Sequence, residues 1–471
     1  MAFVIVRYSE IGLKGGRRKW FEDKLEENIK KSLGDVVKRI KRYYGRIILD
    51  VSDEAIAKIK LSKIFGIKSF SLAERIEFNN LNDLVEKAFE YFKDKVKGKT
   101  FKVECNRVGK HDFNSYDVKV VLGDKLSSIA KVDVKNPDVE CWVEIRNKEA
   151  YLFTEFLNGP GGLPIGTEGK VLALVSGGYD SIVAAWFLMK RGCKVDFVFF
   201  NQGSDLQKYF VLKTIKKLLE WSVGYENTIY VVDFLDISMK ILKEIKPSLS
   251  LVVFRRSMYS LAEKIALGNG HLALVTGESI GQKSSQTAEN LYSAEYGIRI
   301  PIFRPLIGLD KDEIINISRY VGTYEYSEKV PELCSLLSVH PSVKSNAPEV
   351  IKEFKMIEPL LENVNIEKIT FDKLEDYLSK ISYIEKEFTR SLSNFGESGR
   401  IKIFIGKRKI PGVISLDFSK VYDFVKSHGK DNKYLLICER GISAYVLASK
   451  LKKEGYDVKY TSIEKFILHK E

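Results

Sequence analysis

Cysteine is scarce in this 471-residue chain: there are five, Cys105, Cys141, Cys193, Cys334 and Cys438, no two closer than 36 residues. That odd, dispersed set excludes a disulfide framework and a CxxC-type zinc or iron–sulfur centre. Long apolar runs are missing too. No stretch approaches the ~18 apolar residues a membrane helix needs. The opening Met1-Ala-Phe-Val-Ile-Val-Arg7 is too short for a signal peptide and reads as a first strand. A soluble, cytosolic (cytoplasmic) protein with no membrane partner is expected. Hydrophobic residues are 45% and charged residues 30%, which excludes disorder as the main state. The length suggests about three domains.

Positive charge is in excess, 76 Lys and Arg against 63 Asp and Glu, for a net +13. Residues 1–50 alone hold 13 basic and 7 acidic residues. An uneven basic excess favours a polyanionic partner, nucleic acid before membrane. A lysine-rich surface of a heat-adapted protein is the plainer alternative.

Along the chain, residues 1–50 read as a strand over 3–8, a Gly/basic loop, a helix over 17–33 and a strand near 46–51. Helical stretches around 53–65 and 81–97, a strand over 100–106, a helix over 116–130 and a hairpin of 141–145 with 149–155 follow. Asn158-Gly-Pro-Gly-Gly-Leu-Pro-Ile-Gly166, with four glycines and two prolines, is the clearest linker. Beyond it, strands over 171–175, 195–200, 228–232 and 272–276 are continuous apolar runs separated by helices. That is the pattern of a doubly wound parallel sheet buried on both faces. Residues 343–394 read as helical and connecting. The remainder, 395–471, returns to strand–helix alternation.

The sharpest local feature is Leu174-Val175-Ser176-Gly177-Gly178-Tyr179-Asp180-Ser181, a buried strand running into a glycine turn and a helix. Glycines let backbone N–H groups approach a phosphate, the helix start adds positive dipole, and Ser176 and Ser181 add hydroxyls. The loop does not run into Gly-Lys-Ser/Thr, so it is not a Walker loop. The simpler alternative is a strand–helix turn capped by Asp180. Arg255, Arg256 and Lys283 are candidate cations for a polyphosphate. A second buried strand opens into Thr276-Gly-Glu-Ser-Ile-Gly-Gln-Lys-Ser-Ser-Gln-Thr287, on the same edge of a parallel sheet.

The phosphate loop resembles the PP-loop of ATP pyrophosphatases, which cut ATP between its α and β phosphates. Asn158–Thr167, this phosphate loop, Thr276–Thr287, Phe303-Arg-Pro-Leu306 and Glu332-Leu-Cys334 occur in that order, and together they resemble the motifs of the ThiI-type tRNA 4-thiouridine synthetases. The resemblance implies an α/β multidomain chain. Its parts would be an N-terminal ferredoxin-like domain over 1–52, a THUMP RNA-binding domain over 53–157 and a linker over 158–169. A doubly wound PP-loop domain over 170–342, a helical connector over 343–394 and a small C-terminal rhodanese-like domain over 395–471 would follow. It also implies ATP contacts at Leu174, Val175, Ser176, Gly177, Gly178, Ser181, Phe199, Phe200, Arg255, Gly277 and Gln286. Asp180 would coordinate Mg2+ or orient the released pyrophosphate.

For the RNA, Lys14, Arg17, Arg18 and Lys19 suit a grip on phosphates without base reading, and the THUMP-like motif adds Arg107, Lys110 and His111. A solvated helix entry is the plainer reading of the first four.

Sulfur transfer needs a thiolate that can carry a persulfide, and Cys438 follows a strand and opens Cys-Glu-Arg-Gly-Ile-Ser443 before a helix. A helix start of that kind lowers a thiol pKa, and Gly441 permits a curved cradle of N–H groups. This resembles the rhodanese active loop, although residues 401–417 depart from the usual early strand of that fold. Cys334 matches the family's second cysteine, which forms a disulfide with Cys438 after transfer. Cys105, Cys141 and Cys193 fall in or beside strands as packing residues. The implied activity is ATP-dependent replacement of O4 of tRNA uridine 8 by sulfur, giving 4-thiouridine. Its partners would be tRNA, a cysteine desulfurase, a sulfur-carrier protein for thiamine thiazole synthesis and, for cross-subunit presentation of tRNA, a homodimer. A tRNA chaperone with a degenerate ATP site is the competing class.

Overall fold

The computed structural model describes residues 2–283, 285–331, 342–396 and 399–468. It divides into two compact units, Met1–Glu168 with Lys190–Gly192 and Trp221–Gly224, and the remainder from Gly169 to Glu471.

The first unit is built on a nine-stranded sheet. The apolar opening forms β1 (Ala2–Arg7) in the interior, antiparallel to β3 (Arg46–Val51) and β4 (Ser69–Glu77), while β2 (Val37–Tyr43) pairs with β3 at the edge. The helix Arg18–Leu33 buries Phe21, Leu25, Ile29 and Leu33, spaced at helical repeats along one face. Beyond β4 the sheet continues through β8 (Glu149–Phe153), β7 (Val139–Arg146), β5 (Thr100–Val108) and β6 (Lys131–Val132), and β9 (Leu157–Asn158) pairs with β4. The expected hairpin is present, turning at Asn147, whose φ is +53°. β2 and β4 were not anticipated. β2, Val-Lys-Arg-Ile-Lys-Arg-Tyr, is a charged edge strand with little burial contrast. β4 keeps no strict two-residue alternation.

The second unit contains the predicted parallel sheet: β10 (Lys170–Leu174), β11 (Lys194–Asn201), β12 (Thr228–Asp233), β13 (Leu274–Val275) and β14 (Ile302–Phe303) run parallel in the order β14-β13-β10-β11-β12. Six consecutive residues of β11 are buried, as a strand covered on both faces requires. The stretch read as a helical connector holds a further strand, β15 (Ile366–Thr370), which lies antiparallel on β12 and completes this sheet. Its five residues between helical segments were too short a signal.

A separate four-stranded sheet, β17 (Ile414–Leu416), β16 (Arg400–Ile405), β18 (Lys433–Cys438) and β19 (Asp457–Ser462), is parallel throughout. One face packs on the helix Ile442–Lys453, and that core also takes Leu235, Met239 and Leu242 from the helix Leu235–Glu244. Ion pairs Lys243–Asp423 at 2.9 Å and Lys450–Asp236 flank this apolar contact. No described helix is long and apolar enough to cross a membrane.

Candidate active site

At the carboxyl ends of β10, β11 and β13 lies a cavity of about 540 Å3. Its walls hold Leu174, Val175, Ser176, Asp180, Ser181, Phe199, Phe200, Arg255, Gly277 and Gln286, ten of the residues singled out from sequence. Gly177 and Gly178 shape the loop from behind. Gly177 has φ +81°, and a Cβ there would stand 2.7 Å from Val211 and 2.9 Å from Val330. The Ser176 N–H donates to Ser181 Oγ (3.2 Å), and Ser181 Oγ donates to Gly178 O (3.1 Å), so Ser181 closes the loop on itself. The second loop presses against the first. A Cβ on Gly277 would fall 2.4 Å from the Asp180 carbonyl carbon and 2.5 Å from the Ser181 nitrogen.

The cations sort differently from the expectation. Arg255 is fixed, with Nε 2.9 Å from Glu278 Oε1 and its terminal nitrogens on the backbone oxygen and hydroxyl of Ser285. Lys283 also lines the cavity. Arg256 instead turns to the carbonyls of Ala294 and Tyr296 and lies over Phe354, so it is not a cavity cation. Three residues were missed. Glu278 holds Arg304 Nε at 2.8 Å as well as Arg255, and accepts hydroxyl bonds from Tyr259 and Thr276. Burial pushes the Glu278 carboxyl up, but the two guanidiniums outweigh it and hold it below the usual carboxylate range. The third, Lys311, pairs with Asp180 Oδ1 at 3.0 Å. Arg304 was in sight within Phe303-Arg-Pro-Leu306, and the Asp310/Glu313 capping box marks the helix that carries Lys311.

Cys438 closes β18 at the entry to the helix Ile442–Lys453, with Gly441 at φ +79° and the Ala444 N–H 3.5 Å from Sγ. The cradle is present, yet the expected lowering of the thiol pKa is not. Cys438 is only 5% exposed, and this burial pushes the thiol up by more than the N–H groups of Ala444, Ser443, Gly441 and Arg440 pull it down. Cys334 lies outside the described residues. Its flanks are anchored: Gln207, a cavity residue, donates to Pro331 O at 3.1 Å, and Thr287 donates to Val343 O at 2.8 Å. Cys105, Cys141 and Cys193 are buried, and desolvation raises Cys105 to about 11 and Cys141 to about 12.

In the first unit Arg17 and Lys19 are exposed, whereas Arg18 is engaged by Glu22 and Tyr8 and covers the Tyr44 ring, and Lys14 lies over Phe21. His111 Nε2 donates to Asn147 O (2.6 Å) while Nδ1 takes a bond from Arg107 (3.0 Å), which assigns a neutral ring. With Lys110, Phe78 and Phe113, His111 lines a second hollow of about 670 Å3.

A glycine loop at a parallel strand end, an aromatic wall and a fixed guanidinium are the architecture of the PP-loop α/β class. The family model described as "Thiamine biosynthesis protein (ThiI)" matches residues 166–358, with the ThiI ferredoxin-like domain over 3–71 and the THUMP domain over 78–155. The tRNA sulfurtransferase of Thermoplasma volcanium is 37% identical over 99% of this chain and 97% of its own length. The probable tRNA sulfurtransferase of Saccharolobus solfataricus is 44% identical over 78% of this chain and 97% of its own. A crystal structure of a 4-thiouridine synthetase–RNA complex with bound ATP is 33% identical, covers 78% of this chain and 100% of that one, and superposes with a TM-score of 0.70. The chain belongs to the ThiI-type tRNA sulfurtransferase family.

Proposed function

We propose that the protein is an ATP-dependent tRNA sulfurtransferase that converts uridine 8 to 4-thiouridine. The observation that carries this reading is the convergence of the glycine loop, Gly277 and Arg255 on one cavity. Phe199, Phe200 and Leu174 suit an adenine ring, and the loop N–H groups with Arg255 and Lys283 suit its phosphates.

Uridine O4 attacks the α-phosphorus, the bond to the β-phosphate oxygen breaks, and pyrophosphate leaves as N3 gives up its proton. Fixed cations stabilise the charge that develops on the leaving group. The terminal sulfur of a Cys438 persulfide then attacks C4 and expels AMP. Cys334 attacks Cys438 Sγ, releasing thiouridine and leaving a Cys334–Cys438 disulfide for a dithiol reductant to open.

Two carboxylates line the cavity among the described residues; Glu278 is buried between two arginines, and Asp180, paired with the more exposed Lys311, is the one that would hold Mg2+ by giving up that lysine. Bound there with the phosphates, the ion would offset charge on the departing pyrophosphate. The four parallel strands and the N–H loop around Cys438 support a rhodanese-like role for the C-terminal module, with a cysteine desulfurase as the sulfur source. Sulfur delivery to a carrier protein for thiazole synthesis would use the same cysteine.

The test is nucleoside mass spectrometry of unmodified tRNA incubated with ATP-magnesium and a persulfide source, comparing wild type with Cys438→Ser, and free sulfide as a second donor. Thiouridine from wild type with either donor, and from Cys438→Ser with sulfide alone, is the expected result. No thiouridine under any donor sinks the reading.

A further inference from the structure

The basic excess sits at the two ends of the chain. Residues 399–471 hold sixteen lysines and arginines against eight aspartates and glutamates, a surplus larger than that of residues 1–50, and the residues between are almost neutral. Three of these cations are paired at close range, Arg400 with Asp457, Lys426 with Glu454 and Lys450 with Asp236. The loop after β16 stands out because it brings three cations together. Lys407, Arg408 and Lys409 are consecutive and exposed, and Lys407 and Lys409 have no ion-pair partner among the described residues; neither does exposed Arg440.

All four strands of this sheet are parallel, so the loops after β16 and β18 emerge at the same edge as Cys438. Arg408 reaches within 4.0 Å of Glu439, the residue after Cys438, which puts the basic loop beside the sulfur loop. Among the described residues that directly follow the carboxyl ends of the four strands, the acids are Asp417, Glu439 and Glu464, against Lys407, Arg408, Lys409, Arg440 and Lys465.

The basic loop is also held rigidly. The Gly406 N–H donates to Leu416 O (2.9 Å), Ser415 Oγ donates to Arg408 O (2.6 Å), and Ile410 bridges to Val413. Ile410 and Val413 pack on Phe404, Leu435 and Ile437, so the three cations between Gly406 and Ile410 are turned to solvent on a fixed stem. Cations held outward on a loop whose backbone is already fixed are arranged to meet phosphates, since little backbone freedom is lost on contact.

We propose that this rim, Lys407, Lys409 and Arg440 with Arg408, is a second RNA-binding surface that grips the substrate's phosphate backbone beside Cys438 during sulfur delivery. The delivery step rests on the proposed function; the RNA contact does not. Contacts of this kind are sequence-independent and sensitive to salt.

The experiment compares two double variants of the full-length chain that remove the same charge. Lys407→Ala/Lys409→Ala strips the rim, and Lys430→Ala/Lys433→Ala strips the opposite, amino-terminal end of β18. Affinity for unmodified tRNA is measured across a salt series, and single-turnover transfer is followed from protein preloaded with persulfide. The rim pair should bind roughly tenfold more weakly at low salt, with the slope of log K against log salt reduced by about 1 per lost contact. Its transfer should slow in proportion at sub-saturating tRNA, and the opposite pair should stay within about twofold of wild type.

Equal losses from both pairs, or no loss from the rim pair, would overturn the proposal. So would a defect confined to loading by a desulfurase, with RNA affinity intact, because the rim would then serve an acidic protein. Absence of thiouridine from wild type with sulfide would reject the enzymatic reading instead, and the affinity comparison would still decide the rim.

Discussion

Glu278 Oε1 stands 2.9 Å from Arg255 Nε inside a nearly closed part of the fold, and its second oxygen holds Arg304 at 2.8 Å. One carboxylate therefore bridges two guanidiniums, and Glu295 takes the other end of Arg304 at 2.5 Å. Glu278→Ala should cost about 3–5 kcal/mol of stability, the range for breaking a buried pair on one side, read as a fall in the urea midpoint. Glu278→Gln keeps the shape but removes the charge that helps fix Arg255, leaving it held by Ser285 alone, so it should fold while the KM for ATP rises about tenfold, about 1.4 kcal/mol. An unchanged KM in that folded variant would reduce the network to a structural one.

Gly277 leaves no room for a side chain. An added Cβ meets backbone on the phosphate loop rather than a flexible side-chain end, so Gly277→Ala must move that loop. A displacement of this size is expected to cost 100-fold or more in ATP-dependent pyrophosphate release, by the scale of 1 Å misplacements at reacting centres, roughly 2.7 kcal/mol. Near-normal global stability should accompany the loss. Wild-type pyrophosphate release from Gly277→Ala would mean that the two loops do not act together.

At the opposite end of the parallel sheet, Asp196 takes His271 Nε2 at 3.0 Å, Lys170 at 2.7 Å and the Thr228 N–H at 3.0 Å. Burial pushes this carboxyl up, but the three donors outweigh it and hold it below its ordinary value. A carboxyl lower in the folded than in the unfolded state stabilises the fold above the unfolded pKa of ~3.9. That contribution is lost as pH falls through the folded value. Urea unfolding should therefore show the gap between wild type and Asp196→Asn at its largest above about pH 5 and shrinking towards pH 3. A gap independent of pH would reject the linkage.

Cys438 should be a slow thiol at rest. Because burial raises its pKa, alkylation by iodoacetamide at pH 7.5 should run about tenfold or more below a free cysteine and accelerate above pH 9. Gly441→Ala would meet Leu392 at 2.4 Å at a backbone angle that alanine rarely adopts. It should open the loop, speed alkylation and impair persulfide-supported thiolation, with sulfide-supported thiolation retained. Alkylation as fast as free cysteine in the wild type would contradict the closed loop.

The phosphate loop and the continuous apolar strands were legible because their signal is local: a glycine turn between a buried run and a helix says where a phosphate can sit. The Glu278 cluster was not, since its members at positions 259, 255 and 304 meet only when a helix and two loops pack together. Lys311 was hidden in the same way, 131 residues from Asp180. Charge alone could not separate Arg255 from Arg256, neighbours on one helix that meet different partners. For Cys438 the strand and helix entry were visible, but its burial depends on how the C-terminal core, Leu392 included, packs around it.

The antiparallel strand β15 has a practical consequence for how this chain can be divided. A version shortened at residue 342 would keep the phosphate loop but expose the edge of β12, five residues reading Thr-Ile-Tyr-Val-Val with unsatisfied backbone groups. An exposed apolar edge of that length templates pairing between copies. Such a fragment should aggregate on expression, whereas one ending after the helix Phe371–Ile381 carries its own cover.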